Sequence, residues 1–351
     1  MDTAERLRAE TRTVWATALC FAAGTAAGLA VLSGPSRPLT GPGSLSPPVA
    51  VIAAAIAAAA FVASALQHRR GETSAMPRWQ TAISHISAIA LTIAFAAVTA
   101  LGVLLAGLVF GAGLQGFTAP ALGGAVISGV AAAIGGRFAY TAGVGIRTRD
   151  LAAMLFGFLA ICTLFAMGTA GDPLWWQRNF SQLGLGTGGW AFNGTLTVAG
   201  LLFATVGAYI GRDLHRLRGD AALRGIAAVV ALWAATGCAL AVVGLVPIEA
   251  NRVVHWIAAV GALVLFALAA MTSAAALPGP PRALVIATVG LGVLLAAAVL
   301  LHWPVGLYSS TGVEAIAVGL GLVWMTTFVR VLAVLVPDLP RVSARARLWR
   351  G

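Results

Sequence analysis

Ten stretches of predominantly apolar residues divide the chain, at approximately 14–32, 49–66, 81–110, 119–136, 151–170, 190–211, 226–247, 254–277, 283–301 and 313–336. A helix needs roughly 20 apolar residues to cross about 30 Å of hydrocarbon, and each stretch comes within a turn of that length or exceeds it. Breakers separate them. Pro35, Pro38, Pro42, Pro47 and Pro48 follow the first stretch, Pro120 stands at the head of the fourth, and Pro278, Pro280 and Pro281 precede the ninth. The pattern predicts an all-α fold, a polytopic transmembrane helix bundle of about ten spans. The long third stretch is read as one span with a possible kink at Gly102 or Gly107. The first follows Arg6, Arg8 and Arg12 as a signal peptide would. At about 19 residues, with no A-x-A site after it, it reads as an uncleaved span.

Composition agrees with lipid as the main solvent. Sixty per cent of the 351 residues are hydrophobic and 9 % are charged, against roughly a quarter charged in soluble domains. The net charge of +11 comes from 22 basic residues, all arginine. They lie in short segments between apolar runs, not in the single stripe that a nucleic-acid groove needs, so no nucleic-acid partner is expected. The lysine-free, Ala/Gly/Val-rich composition points to a high-GC bacterium, and so to its inner (plasma) membrane.

The arginines also set the orientation. Counted on alternate sides of the ten spans, 18 fall on one side, against Arg37, Arg178 and Arg252 on the other, with Arg330 inside the last span. The arginine-rich side is expected to be cytoplasmic and to hold both termini. Arg137 tests the boundaries. Ending the fourth span at Gly136 puts it at the inner interface, where its guanidinium can snorkel. On the inner side, His68 and His215 read as solvated loop residues, and the whole face reads as charged loops without chemistry.

Three cysteines, Cys20, Cys162 and Cys238, sit inside apolar runs with no CxxC pair, so neither a disulfide framework nor a metal site is indicated. No P-loop, dinucleotide fingerprint or haem-ligand pair occurs. The glycines of Gly184 to Trp190 follow no strand, so no cofactor is expected.

Unusual residues gather on the outer side. Asp172 before Pro173 reads as a helix start. Trp176, Phe180 and Leu183 then recur at i, i+4 and i+7, which predicts a short helix lying in the interface. Asn193 stands near the start of the sixth span. Glu249, Arg252 and His255 are spaced by three and share a face if the eighth helix begins early. His302, Tyr308, Ser309, Ser310 and Glu314 complete the last outer loop. Trp175, Trp176, Trp190, Trp256 and Trp303 read as an outer aromatic belt.

At these residues the chain resembles a bacterial membrane family known as domain of unknown function 998. The resemblance rests on DPLWWQRNFSQLG (Asp172 to Gly184), FNGTL (Phe192 to Leu196), and Gly244, Pro247, His255 and Trp256. It divides the chain into a four-span N-terminal extension (1–149), a six-span core (150–336) and a basic cytoplasmic tail (337–351). The family looks distantly similar to autophagy-modulator and Sfk-type membrane proteins, some linked to lipid distribution. The wording from Trp176 to Thr195 also resembles ceramidase-type hydrolases, but Ala259 stands where their H-x-x-x-H zinc pair would continue from His255.

Three functions follow as expectations. The first is binding or transport of a lipid or other amphiphile, without chemistry, at a site of Asp172, Arg178, Ser181, Asn193, Glu249, Arg252 and His255. Its arginines would meet an anionic headgroup. The second is an intramembrane hydrolase with Ser181 as nucleophile, His255 as base and Asp172 as orienter. The third is a scaffold whose outer polar groups only close helix ends. A hydrogen bond between Ser181 Oγ and a His255 nitrogen would favour chemistry.

Overall fold

The computed structural model describes residues 3–68 and 78–337. Among them are ten helices, each long and apolar enough to span a membrane: α1 (Thr3–Val31), α2 (Ser46–His68), α3 (Arg78–Gly113), α4 (Ala121–Gly145), α5 (Thr148–Gly168), α6 (Gly189–Arg218), α7 (Leu223–Leu245), α8 (Arg252–Ala275), α9 (Arg282–His302) and α10 (Ser310–Leu335). The protein is therefore a multi-pass membrane protein. The His68 side chain, Arg69, Arg70 and the basic tail from residue 338 lie outside the described residues. Large apolar side chains such as Ile286, 71 % exposed, and Val334, 86 % exposed, point outward, as expected where lipid is the solvent.

The chain folds as two compact units, Met1–Gly71 with Leu91–Ile146, and Glu72–Ala90 with Arg147–Gly351. Close helix approach holds the first unit together. A Cβ on Gly28 of α1 would fall 2.7 Å from the Ala125 Cα of α4, and one on Gly24 would fall 2.8 Å from the Ser128 carbonyl oxygen. Where lipid tails are as apolar as the side chains, such small-residue seams supply much of the packing. Ser64 Oγ donates to the Tyr140 carbonyl at 2.8 Å, joining α2 to α4. A two-residue pairing of β1 (Arg37–Pro38) with β2 (Thr118–Ala119) lies beside Leu32, Leu45 and Val49.

Helix α4 does not stop at Gly136 as the sequence suggested but runs on to Gly145. Arg137 lies within it and reaches Glu10 of α1 at 4.0 Å, the two side chains 48 % and 74 % exposed. Hydropathy marks where apolar residues end. The helix itself continues, because its backbone hydrogen bonds are made internally whatever surrounds it.

The second unit has an aromatic spine. Phe203 of α6, Trp233 of α7, Phe266 of α8 and Trp324 and Phe328 of α10 follow one another at centroid separations of 5.2–6.0 Å. Each indole N–H has a partner: Trp233 Nε1 donates to Ser273 Oγ at 3.0 Å, and Trp324 Nε1 to Thr288 Oγ1 at 2.8 Å. Trp233→Phe removes the first bond while keeping most of the volume. We expect a loss of about 1 kcal/mol, the usual scale of an interhelical hydrogen bond in a membrane, measurable by equilibrium unfolding in detergent.

The arginine-rich ends of α5, α6 and α7 are not a set of solvated loops. Asp213, 7 % exposed, accepts from Thr148 Oγ1 and from Arg212 Nε, the latter at 3.1 Å. Arg212 also lies over the Tyr209 ring, 4.3 Å from its centroid. His215, expected in solvent, is 5 % exposed and bonds Asp220 at 2.7 Å through Nε2. A buried charge must be paired and hydrogen-bonded, and this network does both at the joint between α5 and α6.

Candidate functional site

At the opposite ends of α5 and α6 the chain makes an irregular crossing from Thr169 to Gly188. The continuous interfacial helix expected there does not form. Two short 3-10 turns, Trp175–Gln177 and Phe180–Gly184, are separated by Arg178 (ψ −81°) and an extended Asn179. The Asp172 carboxylate closes its own turn by accepting from the Leu174 N–H at 2.8 Å. The apolar stripe is also shifted by one residue. Trp175, not Trp176, packs on Phe180 with centroids 5.3 Å apart, and both lie against the core of Ala166, Leu183 and Phe192. Trp176 is 53 % exposed.

The N–H that opens the second turn has a distant partner. In an α-helix the Phe180 N–H would bond the carbonyl four residues back. Here it donates to Glu314 Oε2 of α10 at 2.7 Å. Glycines then allow the second turn to sit on α6. A Cβ at Gly184 would collide with the Asn193 side chain, and one at Gly189 with the Gly184 carbonyl. Asn193 Nδ2 donates to that carbonyl at 3.0 Å, fixing the end of the turn.

Ser181 is presented from this turn to His255 of α8. Ser181 Oγ lies 2.8 Å from His255 Nε2, and His255 Nδ1 lies 2.8 Å from the Val246 carbonyl oxygen. The two contacts assign the proton. A carbonyl only accepts, so Nδ1 carries the hydrogen, and in the neutral ring Nε2 is left as acceptor for the serine hydroxyl. The imidazole is 4 % exposed, where such bonds are stronger than in water.

Local sequence explains how the histidine is held. Helix α8 starts at Arg252 behind an Asn251 cap whose side chain accepts from the Val254 N–H at 3.1 Å. His255 therefore stands in the first turn, facing inward. Gly244 lets α7 end close to α6, since a Cβ there would fall 2.8 Å from the Thr197 nitrogen. The short connection from Leu245 to Arg252 brings the Val246 carbonyl to His255.

The expected site is thus gathered only in part. Ser181 and His255 meet. Asp172 is bonded to its own turn, and the orienting acceptor on His255 is Val246 O instead. Arg178 Nη1 bonds Gln182 Oε1 at 3.2 Å, and Asn193 serves the Gly184 carbonyl. Glu249 precedes α8, so it does not share a helical face with Arg252 and His255. Glu249 and Arg252 are exposed and make no ion pair among the described residues. Two participants were not in the expected site. The Val246 carbonyl carries no side-chain signal at all. Glu314 does carry one, as a carboxylate in the second turn of an apolar helix.

Comparison with known proteins adds one finding. The family model described as "Protein of unknown function (DUF998)" matches residues 151–331. No curated protein and no solved structure matches the chain.

Proposed function

The chain belongs to the DUF998 family, and we propose that it is a membrane-embedded serine hydrolase or acyltransferase acting on an ester of a membrane amphiphile. One observation carries this reading: Ser181 Oγ, His255 Nε2, His255 Nδ1 and Val246 O form an unbroken chain of two 2.8 Å hydrogen bonds. This is the arrangement in which a base activates a serine and a third group holds the base in the correct tautomer.

The chemistry follows from the proton assignment. As Ser181 Oγ attacks the ester carbonyl, its proton passes to Nε2 and the imidazolium keeps its Nδ1–H on Val246. Collapse of the tetrahedral adduct breaks the carbonyl–alkoxy bond, and Nε2 returns the proton to the departing alcohol. Water, or a second alcohol, then repeats the sequence on the acyl-enzyme and frees Ser181. A neutral carbonyl stabilises the imidazolium less than a carboxylate would, which favours a slow enzyme.

The surroundings support an amphiphilic substrate. Leu245, Val253, Trp256 and Ile257 near the histidine are 59–68 % exposed on helices that span the bilayer, an apolar surface suited to the acyl chains of an amphiphile. Arg178 and Arg252 each stand three residues before a member of the pair and suit an anionic headgroup. Simple lipid binding would use these arginines equally well, but it leaves the serine–histidine bond without a role.

The test is product release from full-length protein in vesicles of mixed anionic and zwitterionic phospholipid, followed by mass spectrometry. We expect free fatty acid or a transacylated lipid from the wild type and none from S181A. Equal product from both would overturn the reading. Asp172→Ala is expected to cost about 1 kcal/mol or less, the scale of one local hydrogen bond. Because Asp172 does not touch His255, turnover per folded molecule should stay close to wild type.

A further inference from the structure

Glu314 stands five residues after Ser309, the cap of α10, whose side chain accepts from the Gly312 N–H at 3.1 Å. Its carboxylate is half-buried near the start of a largely apolar helix; no arginine lies within ion-pair distance of it among the described residues, and His302 lies near enough to act on it electrostatically. An ionisable group in such a place is costly unless it is paired or used. Its one hydrogen bond among the described residues reaches across 134 positions to the Phe180 backbone.

That bond falls at the start of the turn that presents Ser181. A continuous helix from Pro173 would send the Phe180 N–H to a carbonyl of its own segment and rotate Ser181 with the following residues. Glu314 offers an outside acceptor for that N–H, and the chain is free to extend at Asn179 and restart as a new turn. We infer that Glu314 is a positioning residue for Ser181: by accepting the Phe180 N–H it holds the Phe180–Gly184 turn in the setting that places Ser181 Oγ on His255. The role rests on the proposed chemistry only for its catalytic consequence. The positioning itself is a statement about geometry.

What the turn needs from residue 314 is an acceptor oxygen, not a charge. Glu314→Gln keeps an oxygen at the same reach. Glu314→Met keeps the length and apolar volume without one. The first readout avoids any assumption about turnover. In an S181C background, full-length protein in phospholipid nanodiscs is alkylated with iodoacetamide across a pH series, and the modification at position 181 is quantified by peptide mass spectrometry. With His255 in contact, the thiol gives up its proton to the imidazole and alkylation persists well below the range of a free thiol, about 8.5. Adding H255A should return the profile to that range. Adding E314M should do the same, and adding E314Q should not.

The second readout is the labelling rate of the native serine by a fluorophosphonate. E314M is expected to lower it about tenfold, on the scale of one lost hydrogen bond, and E314Q by much less. If the wild type never reacts with the fluorophosphonate while the S181C profile still responds to E314M and H255A, the hydrolase reading fails and the positioning role stands. An S181C profile unmoved by E314M, or moved equally by E314M and E314Q, overturns the positioning role. Wild-type protein offers a check that needs no variant. The Phe180 amide should be protected from hydrogen exchange although it opens a turn, and free exchange there overturns the anchor.

Discussion

Replacing His255 by alanine is expected to slow the reaction of Ser181 with an acylating or phosphonylating reagent by about 10²–10⁴-fold, the usual contribution of a positioned general base. The variant removes the only ring nitrogen within reach of Ser181 Oγ among the described residues and leaves the hydroxyl at its ordinary, weakly nucleophilic state. It also strands the Val246 carbonyl, which loses its donor at the end of α7. Some loss of stability should therefore accompany the loss of reactivity. Labelling rates are to be compared per folded molecule, with the fold monitored by size-exclusion behaviour in detergent. A rate within a few-fold of wild type would mean that the hydrogen bond has no chemical consequence.

The second large effect is expected at the crossing of α6 and α7. Gly200 and Gly237 face each other so closely that the two backbones touch. A Cβ on either would collide with the carbonyl oxygen of the other, and would fall 2.8 Å from the Ala241 nitrogen or 2.9 Å from the Ala204 nitrogen. Backbone atoms cannot turn aside as a side chain can, so Gly237→Val has to push the helices apart. We expect a destabilisation at or above the upper end of the roughly 1–3 kcal/mol typical of overpacking. The effect should reach the site as well. Gly244, further along α7, packs on Asn193 and Thr197 of α6, and Asn193 holds the end of the Ser181 turn, so separated helices would draw Ser181 away from His255. Thermal unfolding in detergent, followed through tryptophan fluorescence, should show a markedly lower midpoint. A wild-type midpoint would show that the seam can open without loss.

Much of the fold was legible in advance because the bilayer imposes a length. Ten apolar stretches became ten helices, and the breakers at Pro120 and at Pro278, Pro280 and Pro281 fell between them. Helix ends were less legible, since apolar character stops at the membrane while hydrogen bonding does not. Helix α1 reaches back to Thr3, α4 on to Gly145 and α6 on to Arg218. The segment after Asp172 misled for a different reason. Its i, i+4, i+7 stripe fits a helix, and nothing local shows that Glu314, distant in sequence, competes for the Phe180 N–H.

The site shows the same division. Ser181 and His255 could be singled out by residue type, and the orienting role was assigned to Asp172 because carboxylates are visible as letters. The acceptor in the structure is a backbone carbonyl, which every residue owns and no sequence pattern marks. Its placement depends on the course of the connection between α7 and α8, which residue types alone do not reveal. His215, on the inner side in the sequence map, reads as a solvated loop residue. Only folding shows that Asp220 closes over it.

The central claim is that Ser181 is a nucleophile activated by His255. Its most direct test is to expose full-length wild-type protein in phospholipid nanodiscs to a fluorophosphonate and map the adduct by peptide mass spectrometry. One modified residue is expected, Ser181, with the adduct absent from S181A and strongly reduced in H255A. Adducts spread over other hydroxyls and indifferent to His255, or an unmodified Ser181 in folded protein, would contradict it.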